Sequence, residues 1–160
     1  MQESELRSIA LSVRNKIEQV IEELSYVDIE LKNFPSGACE VASVILGLYL
    51  QSEHGVRVVQ SVGKRSLFND NGENNHVWLT VNGSLIIDIT ADQFDDFHEP
   101  VFVGTESVFH DTFEKYETRP IDFSYLIRGG SEGYSGVYQN VSNSLKSTLN
   151  LTSHIVRFFS

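Results

Sequence analysis

The sequence predicts an α+β domain in which two N-terminal helices pack on an antiparallel sheet. Three observations carry this expectation. Apolar residues recur every three or four positions over residues 4–25, an apolar run follows Cys39, and Asn82-Gly83 joins two segments rich in β-formers. The chain has 160 residues, enough for one domain with a full core, and no repeat, low-complexity block or linker divides it. Residues 1–160 therefore read as a single domain.

In the first segment Leu6, Ile9, Val13, Ile17, Val20, Ile21 and Leu24 form an apolar stripe. Arg14, Lys16, Glu18, Glu22 and Glu23 fill the other face, and Ser4 is placed to cap the start. Pro35, Ser36 and Gly37 make residues 26–38 a loop. From Cys39 to Leu50 the chain is apolar on nearly every side, and its length, running to Gly55, favours a buried helix over a strand. Val56 to Val62 reads as a strand and residues 63–75 as a polar loop. His76 to Val81 and Ser84 to Thr90 read as central strands, because both are apolar on both faces. Beyond them the pattern gives a strand at Pro100–Gly104, a short helix at 107–117, a flexible loop at Gly129–Gly133 and a helix at Tyr138–Leu149. Trp78 and Tyr49 read as core aromatics.

A hydrophobic fraction of 41% and a charged fraction of 21% are ordinary for a folded soluble chain. A net charge of -10 repels phosphate backbones, so no nucleic-acid partner is expected. No stretch approaches the ~20 apolar residues of a membrane span, so no membrane partner is expected either. The start, Met1 to Arg7, lacks the basic residues and apolar run of a secretory signal, and a single cysteine permits no internal disulfide. The expected setting is the reducing cytoplasm.

Cys39 carries the marks of an activated thiol. It follows a Pro-Ser-Gly-Ala loop, where backbone can approach a ligand closely, and it opens a helix, whose dipole favours thiolate. His76 starts a strand after the polar Asn74-Asn75 pair. Asp88 lies in Leu85-Ile86-Ile87-Asp88-Ile89, where an unpaired carboxylate would cost several kcal/mol, so it needs a partner. The hairpin register decides whether that partner is His76. A two-residue turn pairs Val81 with Ser84 and sends His76 and Asp88 to opposite faces. A three-residue loop, Val81-Asn82-Gly83, pairs Thr80 with Ser84 and sets His76 opposite Asp88. A Cys39-His76-Asp88 triad requires the longer loop. In such a triad His76 is the base, Asp88 orients it, and the backbone N–H of Cys39 receives the oxyanion, with Asn33 or Gln93 as a second donor. A turn after the strand explains Gln93 and Asp92 equally well.

Gly37-Ala38-Cys39-Glu40 opening an apolar helix, then Asn75-His76-Val77-Trp78-Leu79, then Ile87-Asp88-Ile89-Thr90, resembles the transglutaminase-like branch of the papain-like cysteine hydrolases over roughly residues 33–94. The resemblance implies Cys, His and Asp in this chain order, with the nucleophile helix packed on an antiparallel sheet and the other two residues on adjacent strands. That family often places a glutamine a few residues before the cysteine as oxyanion donor, and Asn33 stands near that place. Ser36 to Glu40 is also similar to the arylamine N-acetyltransferases, which are longer and have an arginine-glycine lead-in missing here.

The expected function is a cysteine-dependent peptidase, amidase or deamidase, because water is the default acyl acceptor. Its substrate would be a peptide, a protein or a small amide. Two alternatives stand beside it: a catalytically silent binding or immunity module of the same fold, and an acyltransferase of transglutaminase or N-acetyltransferase type. No cofactor and no metal are expected. His54, His98, His110 and His154 are scattered outside any zinc-type pair, and His98-Glu99 and His110-Asp111 read as solvated loop residues. Residues 105–160 either shape specificity or cover the sheet.

Overall fold

The computed structural model describes residues 1–24, 27, 29–66, 74–127 and 134–159, with side chains up to 148. Helices α1 (Glu3–Glu23), α2 (Ile29–Lys32) and α3 (Cys39–His54) come first. Strands β1 (Val58–Arg65), β2 (Asn74–Val81) and β3 (Leu85–Asp88) follow, then β4 (Phe102–Gly104), α4 (Val108–Asp111), β5 (Glu114–Pro120) and α5 (Tyr134–Phe159). The sheet runs β4-β3-β2-β1-β5, with every neighbouring pair antiparallel. The domain is α+β, as its sequence predicts.

The apolar stripe of α1 buries Leu6, Ala10, Val13, Ile17 and Val20. Arg14, expected on the solvated face, is buried among them. Ser4 does not cap this helix. The cap position is Gln2, which makes no side-chain cap bond, and Glu3 and Glu5 supply the negative charge that the positive end of the dipole favours. Helix α3 is buried at every position from Val41 to Leu50, so it is surrounded on all sides, and it stops at Gly55, whose φ of 61° suits glycine. Leu79 and Val81 of β2 join the helix-side core with α1, α3 and α5. Trp78, pointing the other way, joins a second cluster with Ala91, Phe109 and Phe113.

The middle of the sheet matches expectation in kind. Both β2 and β3 are internal strands. The polar loop is shorter than expected on both sides, since β1 runs to Arg65 and β2 begins at Asn74. The expected helix at 107–117 is corrected. Only 108–111 is helical, capped by the Ser107 hydroxyl, and Glu114–Pro120 is an edge strand on β1. Almost all of β5 is solvent-exposed, so its polar sequence carries no apolar alternation to betray a strand. Helix α5 is longer than expected. Tyr134, Val137, Tyr138 and Val141 are buried in the main core, and that packing overrides the low helix propensity of a Ser- and Asn-rich stretch. The loop expected at Gly129–Gly133 lies outside the described residues.

Candidate active site

The hairpin is built on Asn82 and Gly83, with φ of 53° and 73°, and Ser84 N–H donates to Val81 O at 3.2 Å. Val81 pairs with Leu85, so the loop is Asn82-Gly83-Ser84. It has three residues, but it starts one residue later than the register that sets Thr80 against Ser84. The ladder therefore slides two places, which preserves the face. His76 and Asp88 are diagonal neighbours rather than directly opposed, a separation long side chains span. His76 Nε2 lies 2.6 Å from Asp88 Oδ2.

Asp88 accepts more than this one bond. The Thr90 backbone N–H donates to its Oδ1 at 2.9 Å, and His110 Nε2 lies 2.7 Å from its Oδ2. The His110 ring is fixed in turn by Ser107, whose Oγ is 2.6 Å from Nδ1. His76, Asp88 and His110 are all buried. His110 is therefore not a solvated loop residue, whereas His98 and Glu99 are exposed. One signal for His110 was present in the sequence: it sits between Phe109 and Phe113, side chains that pull their neighbours inward.

Cys39 is the first residue of α3 and is half-buried. Its side chain lies close enough to the His76 ring to raise that ring's proton affinity. Since Nε2 of that ring faces Asp88, Nδ1 is the atom left for the sulfur. Ala38 at the helix cap offers no side-chain bond, so the first-turn N–H groups, that of Cys39 included, have no intrahelical partner. Gln93 bridges the two halves of the site. Its Oε1 accepts from Gly37 N–H at 3.3 Å, while its Nε2 donates to Thr90 O at 3.0 Å and lies 3.5 Å from His76 Nδ1. Asn33 is exposed, and its backbone carbonyl accepts from Ser36 N–H at 2.8 Å. Asp92 belongs to a different contact: Arg14 grips it at 2.7 and 2.9 Å and also donates to the carbonyls of Ile89 and Pro100. The segment following Asp88 is thereby tied to α1.

The electrostatics follow from burial and pairing. Burial disfavours a charged His76 ring, but the Asp88 carboxylate and the Cys39 side chain outweigh it and hold the ring up at about 9. Burial would push the Asp88 carboxyl up, yet the charge of His76 and the hydrogen bonds from His110 and His76 hold it well below the ordinary carboxylate range. The ring of His76 is walled by Phe94, Phe113 and Trp78, with centroids 5.0, 5.5 and 5.7 Å away. A cleft of about 520 Å³ opens beside Glu40, the residue after Cys39, lined by Val44, Gln60, Glu117, Arg119 and Tyr125 among others.

The donor atoms of His76, Asp88 and His110 lie within 4.8 Å of one another, close enough to raise the question of a metal. Their spacing answers to hydrogen bonding. Two ligands on one tetrahedral zinc stand roughly 3.3 Å apart, given bonds of about 2.0–2.1 Å. Both histidine nitrogens are instead 2.6–2.7 Å from one carboxylate oxygen. The chain matches no protein-family model, no curated protein and no solved structure.

Proposed function

We propose that this chain is a cysteine-dependent hydrolase of acyl or amide bonds, with Cys39 as nucleophile, His76 as acid and base, and Asp88 as the group that orients and charges His76. One observation carries the reading: a buried histidine, held at about 9 by a carboxylate on one nitrogen, meets the sulfur of the chain's single cysteine at a helix start.

With His76 protonated at neutral pH, its imidazolium stands beside Cys39, and the attacking form of the cysteine is the thiolate. The thiolate adds to the substrate carbonyl, and the negative charge moves onto its oxygen. The oxyanion would take the Cys39 N–H at the open end of α3, and Gln93, which bridges Gly37 and Thr90 beside His76, is the second donor of the two candidates. Asn33, on the exposed loop, ranks behind it. As the tetrahedral adduct collapses, His76 Nδ1–H protonates the leaving amine and an acyl-thioester remains. Water then gives its proton to Nδ1, attacks the thioester, and releases the acid and the thiolate. The cleft beside Glu40, the residue after Cys39, is the space we assign to the substrate.

The test is the alkylation rate of the intact protein against pH, with His76→Ala beside it. Every adduct reports Cys39, the one cysteine. The expected result is a rate that stays high well below the ordinary thiol pKa of ~8.5 and collapses in the variant. A rate that tracks an ordinary thiol in both proteins overturns the proposal.

A further inference from the structure

We propose that His110 acts through Asp88 to limit how tightly the carboxylate holds His76, so that the triad has a fourth member on α4. The inference rests on the triad reading and goes beyond it by giving a role to a residue outside the Cys-His-Asp set.

The argument starts from hydrogen-bond capacity. An ionised carboxylate only accepts, so both histidines must present Nε2–H to Asp88. The rest of the His110 ring agrees with this tautomer. The Ser107 oxygen already accepts the backbone N–H of His110 at 3.1 Å, and its hydroxyl proton is free to donate to Nδ1 at 2.6 Å. The donors run from Ser107 through His110 to Asp88, and His76 donates to the same carboxylate oxygen from its own side. Asp88 does not need His110 for placement, because Thr90 N–H already fixes its other oxygen at 2.9 Å. What His110 does is compete. Two N–H donors at 2.6 and 2.7 Å share one oxygen, and each weakens that oxygen as an acceptor for the other.

Among the described residues no other charge is positioned to take over this part. The groups that face the pair are Cys39 from α3 and His110 from α4. Arg65 of β1 stacks on the rings of Phe94, Phe109 and Phe113 and is paired with Asp96, and Arg14 of α1 is paired with Asp92. Ser107 and His110 are buried, so water does not supply the missing donor if His110 is removed.

The experiment is a nitrogen NMR titration of His76 in the intact protein and in His110→Phe and His110→Gln. Phenylalanine suits the aromatic surroundings and lacks the donor, whereas the glutamine side-chain amide carries an N–H close to the position of Nε2. In His110→Phe the midpoint for proton loss from His76 should rise by about 0.7 unit, a roughly fivefold gain in proton affinity and the equivalent of one ordinary hydrogen bond. In His110→Gln it should return towards the native value. An unchanged or lowered midpoint in a folded His110→Phe overturns the inference. The native protein gives a second test that needs no variant: His110 must carry its proton on Nε2, and a Nδ1–H tautomer overturns the inference by itself. Cys39 alkylation separates the two levels. An ordinary thiol in the native protein removes the triad, whereas an activated thiol with an unmoved His76 midpoint removes only the role of His110.

Discussion

Replacing Gly63 by alanine should damage the wall behind His76. Gly63 lies on β1 directly across from His76. A Cβ at this position would stand 2.8 Å from Cβ of Phe113 and 2.8 Å from Cη2 of Trp78, where carbon atoms rest at about 3.5–4.0 Å. Neither neighbour is the loose end of a flexible chain, and both belong to the packed aromatic cluster. Each must retreat by roughly 0.7 Å or more, and Trp78 and Phe113 both border the His76 ring. Overpacking of this kind costs about 1–3 kcal/mol, and the stiffer unfolded chain returns about 0.4–1, leaving a net loss of about 1–2 kcal/mol. Urea unfolding followed by the fluorescence of Trp78, the single tryptophan, reads this directly. With a slope near 2 kcal/mol/M, the midpoint should fall by about 0.5–1 M without a change in slope. Gly136→Ala is the control, since nothing lies within 4 Å of its added carbon, and it should be neutral or stabilising. A Gly63→Ala protein as stable as the native one would refute the packing argument.

Two further outcomes follow from the buried charges. His76 is held at about 9 against an ordinary value of 6.5, so its contribution is complete below 6.5 and is lost as pH rises through about 9. Native stability relative to His76→Gln should therefore fall by an amount on the order of a few kcal/mol over that window, and a difference that is flat with pH counts against a charged His76. Arg14→Met should cost about 3 kcal/mol, the lower end for a broken buried pair because Asp92 keeps some contact with water. It should also slow Cys39 alkylation, since the Ile89 and Pro100 carbonyls lose their donor; an unchanged denaturation midpoint would rule out the tether.

The helices and central strands were legible because burial imposed their periodicity. The α1 stripe, the all-apolar α3 and the β2–β3 pair each show the pattern their packing demands. The residues of the candidate site drew notice for a related reason: Asp88 is polar in an apolar strand, and Cys39 stands where an apolar helix begins. The hairpin register was not legible, and with it the face stayed open, because the turn chemistry of Asn82-Gly83 does not say how many residues, or which neighbour, complete the loop. Edge strand β5 was not legible, since its stability comes from backbone pairing with β1 rather than from side-chain burial. Arg14 and His110 were hidden for one cause. Each is a polar residue whose partners lie far along the chain, at Asp92 and Asp88, and periodicity places polar residues outside by default.

The loop at Asn82-Gly83-Ser84 makes the meeting of His76 and Asp88 a question of odd or even. Adding or deleting one residue there reverses the outlook of one strand against the other and separates the two side chains across the thickness of the sheet. Adding or deleting two residues only slides the acid along the same side, where a long side chain still reaches. Length variation in this hairpin is thus tolerated in pairs and penalised singly. The two left-handed positions at Asn82 and Gly83 act as the counter that holds the number.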